Sequence, residues 1–275
     1  AFLKGFGVIS AIMNDQEFEI APFRKESYDG GDGRRPTSVE FTDLETDSSR
    51  RDFTINALYF DIDKKKIIDL VGGVKDIENN IIRPVGNIIE RFKEDKLRVL
   101  RFLRFAHRNG SSINQEYANA IIEFNNLDGV SPERIKDEFI KGLISAKNTK
   151  SYLLDYQRFG LFRKLFNDSA LNTNFINDLR NPKLILANIL INKKESEVES
   201  DMLTSKYEKD TIKIVIYLIK IYNFFKNFDK NQLIPEVEFD KFKKLYDYRK
   251  KINNVFLDEN NLKSLSQEEI IEWAV

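Results

Sequence analysis

Cysteine is absent from the 275-residue sequence, and histidine occurs once, at position 107. Without Cys there can be no disulfide framework, no thiolate zinc site and no Cys nucleophile. A lone His excludes a His-cluster metal site and leaves acid–base work to other side chains. A chain without Cys fits a reducing compartment, so a cytoplasmic protein is expected. Net charge is missing too: 44 Lys and Arg balance 44 Asp and Glu, so no global positive field steers the chain toward a polyanion. Any such contact has to be local. Long hydrophobic runs are also lacking. The most apolar one, residues 212–221, is interrupted by Lys213 and Lys220 and is too short to span a bilayer. The start, Ala1-Phe-Leu-Lys-Gly, is too short an apolar stretch to read as a signal peptide. A soluble protein with no membrane partner is expected. What is abundant is core material, 41% hydrophobic residues with 22 Phe, enough for one large domain or two to three small ones.

The first 60 residues read as strand and turn. A β-rich run at 6–13, the turn pair Asn14-Asp15 and an answering run at 18–20 predict a hairpin. Residues 27–36, Ser-Tyr-Asp-Gly-Gly-Asp-Gly-Arg-Arg-Pro, predict a flexible loop that carries Asp32, Arg34 and Arg35. Residues 50–58, Arg-Arg-Asp-Phe-Thr-Ile-Asn-Ala-Leu, open a short helix with Asp52 and Asn56 one turn apart on one face. Residues 58–62 and 67–70 flank Asp63-Lys64-Lys65-Lys66 as a second hairpin, in which Asp61-x-Asp63 is a solvated turn. Gly72-Gly73 is expected to be a flexible joint before Asp76.

Beyond about residue 90 the pattern is helical. Ser131-Pro132-Glu133 is a helix start, with Ser as N-cap and Pro at the first position. Further helices are expected around 149–159, 183–193, 209–228 and 237–250, the third apolar nearly all round and therefore central. Near residue 150 the composition shifts to a Lys/Asn-rich part without a chemical motif.

The richest stretch is 91–108. It holds seven Lys or Arg against two acids, with Asp95, Arg98, Arg101, Arg104 and Arg108 recurring every three or four residues. That spacing predicts one helix whose Arg face stays free while Leu97, Leu100, Phe102, Leu103 and Phe105 pack. His107 continues this helix as a packing or surface residue. An Asp and an Arg held side by side can read a base edge. Cytosine and adenine present an amine donor beside a ring-nitrogen acceptor; a carboxylate accepts the one and a guanidinium donates to the other. Uracil and guanine show the reverse order. The remaining arginines suit phosphates.

Four segments in order between residues 50 and 138 resemble the class II tRNA nucleotidyltransferase and bacterial poly(A) polymerase family. Residues 50–58 resemble its motif B, and Asp69-Leu-Val-Gly-Gly-Val-Lys-Asp76 its motif C. Residues 91–106 resemble motif D, the base-reading helix, and Ser131-Pro-Glu-Arg-Ile-Lys-Asp-Glu138 motif E. The resemblance implies an α+β chain: part of a polymerase-β-like nucleotidyltransferase palm sheet followed by an all-helical neck and body. It implies a partial head over 1–62, a neck with the base-reading helix over 63–148 and an RNA-binding helical body over 149–275.

The implied activity is template-independent addition of C and/or A to the 3′ end of tRNA from CTP and ATP with Mg²⁺. The alternatives are poly(A) synthesis on general RNA, or a catalytically incomplete module that binds nucleotide and RNA. By the same resemblance Arg51 meets the triphosphate, and Asp52 and Asn56 lie near the ribose. Asp95 and Arg98 meet the base, supported by Arg101 and Arg104. Glu19 is a candidate near the metals, and the 27–36 loop serves A addition. The family's Gly-Gly turn with Arg-Asp and its Asp-x-Asp strand are not among these residues, so the given chain alone is expected to be inactive. Phe102 stands where the family usually has a small residue, and Ser48 where it has an apolar one.

Overall fold

The computed structural model describes residues 2–5, 7–27, 38–167, 172 and 181–226. The chain divides into two compact units, Ala1–Leu165 and Phe166–Val275. The fold is α+β. In the first unit, β1 (Phe2–Gly5), β2 (Val8–Met13) and β3 (Gln16–Ile20) form an antiparallel meander. Asn14 and Asp15 close its second hairpin, both in the left-handed region at φ 50° and 59°. Such a turn matches the twist of the strands it joins, and Asn and Asp tolerate it best after Gly. β4 (Arg24–Ser27) pairs with β5 (Ser38–Phe41), and β6 (Leu58–Asp61) with β7 (Lys66–Asp69), each antiparallel. The predicted loop, with Asp32, Arg34 and Arg35, lies outside the described residues. At the β6–β7 tip Asp61 accepts the Lys64 amide at 3.0 Å, the turn chemistry expected of it.

Helix α1 (Leu44–Ser49) starts at Asp43, whose carboxylate accepts the Thr46 amide at 2.8 Å. A single 3₁₀ turn over Thr54–Asn56 replaces the short α-helix expected there. Then come α2 (Gly73–Glu78), α3 (Ile88–Glu94), α4 (Leu97–Asn109), α5 (Gln115–Phe124), α6 (Pro132–Ser145) and α7 (Thr149–Arg158). Helix α4 is the axle of this unit, packed by α3, α6 and α7. Its Phe102 lies against Phe53, Phe92 and Tyr117, with ring centroids 5.2–6.3 Å apart. Phe102 is buried, so the large ring at that position fills core. Ser48, the other departure, is buried with its hydroxyl unpartnered among the described residues, which is why an apolar residue would suit the place. A second aromatic group, Phe139, Tyr152 and Tyr156, joins α6 to α7.

In the second unit α8 (Pro182–Leu190) and α9 (Glu195–Thr204) pack on α10 (Lys209–Lys226). Helix α10 buries Ile212, Ile214, Val215 and Ile219 but exposes Lys213, Lys220 and Tyr222. It is therefore two-faced and not the all-round apolar helix expected. The helix expected at 237–250 lies outside the described residues.

Gly72-Gly73 is no flexible joint. Gly72 takes the left-handed conformation at φ 83° and caps α2. Gly73 is buried, and a Cβ there would meet the Thr54 carbonyl oxygen at 2.2 Å. The Asp69 carboxylate gathers the amides of Val71, Gly72, Gly73 and Val74 at 2.8–3.2 Å, so the turn is a fixed clasp of α2 on the 3₁₀ turn. Partial burial works against the charge, but these four amides hold Asp69 below the usual carboxylate range. Gly73→Ala is accordingly expected to cost about 1–3 kcal/mol, because backbone has to move to admit the methyl. Thermal unfolding of the variant beside the parent checks this: the midpoint falls by several degrees.

Candidate functional site

The predicted ladder is interrupted. Glu94 ends α3, Asp95 sits in extended backbone at φ −146° and ψ 105°, and α4 begins at Leu97. Asp95 is thus outside the helix that carries Arg98, Arg101 and Arg104. Its Oδ1 accepts the Leu97 amide at 3.0 Å, and its Oδ2 accepts from Arg134 Nη2 at 3.0 Å. A short polar side chain that can cap the next helix favours this break over continued helix.

The Arg face is not free either. Arg98, with 11% of its side chain exposed, donates to Glu94 at 2.5 Å, to the Arg91 carbonyl at 3.2 Å and to the Arg50 carbonyl at 3.4 Å. Arg101 donates to Asp52 Oδ2 from Nε at 2.7 Å and lies 3.8 Å from Glu138. Arg104 donates to Glu138 Oε2 at 2.6 Å, its guanidinium 4.1 Å from the centre of the Phe105 ring. Half-buried guanidinium groups need acceptors, and other segments supply them. Beyond this row Arg108 is exposed, while His107 Nε2 meets Asp155 Oδ2 of α7 at 2.8 Å.

The 50–58 segment faces this row. Asp52 Oδ1 accepts the Phe53 amide at 2.8 Å and the Asn56 amide nitrogen at 3.1 Å, while Oδ2 holds Arg101. Arg51, with 39% of its side chain exposed, donates to Asp47 Oδ2 at 2.8 Å and stands 5.6 Å from the Tyr59 ring centre. Asp47 is the hub here. It is buried and accepts from Arg50, Arg51, the Tyr59 hydroxyl and the Arg24 amide. Burial pushes its carboxyl up, but the hydrogen bonds from Tyr59, Arg51 and Arg50 outweigh it and bring the pKa down to about 2. The same pairing keeps Arg51 charged, its pKa raised further against the desolvation.

Arg51, Asp52, Asn56, Arg98, Arg101 and Arg104 therefore form one connected band on one flank of α4. Asp95 lies at the N-terminal end of that helix. Glu19 stands apart on β3, exposed and opposite Ser10. Among the described residues no three His, Cys, Asp or Glu side chains come together to hold a metal ion. They do not by themselves make a Mg²⁺ site. Asp47, Glu94, Arg134 and Glu138 carry much of the band's geometry and were not anticipated as site residues. Glu94 and Asp47 could have been found as partners at helical spacing of Arg98 and Arg51; the pairs Arg134–Asp95 and Glu138–Arg104 span 39 and 34 residues, which local spacing does not reach.

Comparison with known proteins bears on this arrangement. Residues 3–83 match the poly A polymerase head domain family. The CCA-adding enzyme of Ligilactobacillus salivarius is 37% identical over 222 residues, 76% of this chain and 54% of that protein. The CCA-adding enzyme of Enterococcus faecalis is 47% identical over 141 residues, 50% of this chain and 34% of that protein. The chain spans about half or less of the length of these relatives. Among solved structures, the Bacillus stearothermophilus CCA-adding enzyme in complex with CTP superposes with a TM-score of 0.58 at 22% identity, covering 98% of this chain and 66% of that one. The Thermotoga maritima CCA-adding enzyme complexed with tRNA gives 0.58 at 17% identity, covering 99% and 62%. Likeness at such identities speaks to the fold, which is that of a nucleotidyltransferase head with a helical continuation. Residues 3–83 thus belong to the poly A polymerase head domain family, and the chain is a relative of bacterial CCA-adding enzymes.

Asp47 has a pH signature. A carboxyl whose folded pKa is depressed stabilises the fold above its unfolded value near 3.8, and this contribution disappears as pH falls toward about 2. Urea midpoints measured from pH 6 to pH 2.5 are expected to fall more steeply for the parent than for Asp47→Asn. The variant starts roughly 2 kcal/mol lower at neutral pH.

Proposed function

We propose that the chain takes part in template-independent addition of C and A to the 3′ end of tRNA, with CTP and ATP as donors. The observation that carries this reading is the band of Arg51, Asp52, Asn56, Arg98, Arg101 and Arg104 beside Asp95. Its support is the motif order together with relatives named as CCA-adding enzymes.

In this reading Asp95 accepts the exocyclic amine of cytosine or adenine and Arg98 donates to the adjoining ring nitrogen. Uracil and guanine present a carbonyl to Asp95 and are rejected, because two acceptors face each other. Arg51 is a partly exposed cation of the band, and its fixed charge beside Asp47 suits a triphosphate oxygen. Asp52 and Asn56 take the ribose, while Arg101 and Arg104 brace the base-reading pair. The division into a partial head over 1–62, a neck over 63–148 and a body over 149–275 that meets RNA belongs to the same proposal. So do the loop residues Asp32, Arg34 and Arg35 in A addition, and a cytoplasmic setting.

Mg²⁺ would assist the 3′-hydroxyl and the leaving pyrophosphate in such chemistry. Glu19 is the candidate acid of this chain. Among the described residues no helix is long and apolar enough to cross a membrane.

A second reading, a module that binds nucleotide without transferring it, is favoured by the lack of an acid cluster among the described residues. Incubation with labelled CTP and ATP, Mg²⁺ and a tRNA lacking its terminal CCA separates the two: extension supports transfer, binding without extension the module.

Two substitutions test the base reader by nucleotide competition. Asp95→Ala is expected to relax discrimination of CTP over UTP on the order of ten- to a hundredfold, the worth of one charged hydrogen bond. Arg51→Ala is expected to weaken all four nucleotides about equally, since the triphosphate carries no base identity.

A further inference from the structure

The carboxylate of Asp95 is held at both ends. Its Oδ1 caps α4 through the Leu97 amide, and its Oδ2 takes Arg134 Nη2 of α6, each at 3.0 Å. Two contacts on different elements fix the plane of the carboxylate as well as its position. Each oxygen keeps a further lone pair, so the group stays able to accept a ligand proton in a set direction.

Arg134 is suited to this one task. Its Nη1 is buried without a hydrogen-bond partner among the described residues, and its ion pair is with Asp95. The two side chains are only 25% and 19% exposed, so removing one partner also costs folding stability, and its role in selectivity has to be read apart from that cost. Helix α6 is itself rigid at this point: Ile135 and Phe139 are buried, and Glu138 one turn on holds Arg104 at 2.6 Å. One helix thus braces the carboxylate from one side and the arginines of α4 from the other.

We infer that Arg134 is a specificity-determining positioning residue: by fixing the plane of the Asp95 carboxylate it sets which base edge that group accepts. The inference rests on the reading of Asp95 as the base acceptor. Without Arg134 the carboxylate keeps only its contact to Leu97, can turn about its last bond, and accepts from more than one edge.

The test uses the full chain with CTP and UTP as probes, their dissociation constants read by equilibrium dialysis, with thermal unfolding recorded for each variant. Arg134→Met keeps the stem but removes the charge and donors, and is expected to lower the CTP-over-UTP preference about tenfold, mostly through weaker CTP binding. Arg134→Lys restores one charged donor and is expected to recover part of that loss. A role in folding alone would lower the unfolding midpoint and leave the preference ratio intact. If Asp95→Ala abolishes the preference while Arg134→Met and Arg134→Lys keep the parental ratio, the inference is overturned and the base reader stands. If Asp95→Ala keeps the preference, the base reader falls, and the inference with it.

Discussion

Arg101 and Asp52 meet at 2.5 Å across 49 residues of chain, and the candidate site hangs on that contact. It fixes the 3₁₀ turn against the middle of α4, so the residues around position 52 and those around 98–104 share one frame. Along the same flank of that helix Glu138 receives Arg104 and approaches Arg101, bringing α6 into that frame. Were Glu138 absent, the mostly buried Arg104 guanidinium would lose its acid, which costs far more than an exposed pair contributes. The polar side of α4 therefore constrains the unit as strongly as its phenylalanines do.

The network also shows how a chain of zero formal charge can hold a concentrated basic element. Each arginine of α4 from 98 to 104 has an acid from another segment: Glu94 from α3, Asp52 from just before the 3₁₀ turn, Glu138 from α6. A helix with that many cations would otherwise repel itself and its neighbours. Partnered in this way it packs, and its cations keep a fixed geometry toward whatever they meet. Arg51 follows the same logic on a smaller scale, with Asp47 as the buried anion that keeps it charged and pointed.

Much of this was legible locally. The hairpin at Asn14-Asp15, the turn at Asp61–Lys64, the start of α6 at Pro132 and the proximity of Asp52 to Asn56 all follow from short-range chemistry, although Ser131 takes the N-cap position without its hydroxyl making a cap hydrogen bond among the described residues. What was not legible came from tertiary demands. The helix of residues 91–108 breaks at Asp95, where the carboxylate accepts both the first amide of α4 and a distant arginine on α6. The Gly72-Gly73 pair reads as slack in isolation, yet its lack of a side chain lets Thr54 approach. Pairings such as Arg134 with Asp95 cross 39 residues, and no periodicity encodes them.

The histidine that seemed mere filler has another consequence. It sits on α4, its ring 5.4 Å from that of Tyr152 and its Nε2 on Asp155 of α7. Since the sequence holds no second imidazole, one pair of ring resonances in a nuclear magnetic resonance spectrum belongs to this seam alone. The molecule carries its own single-site reporter, set on the helix that bears the arginines, able to register without any label whether a nucleotide or an RNA end disturbs the packing beneath them.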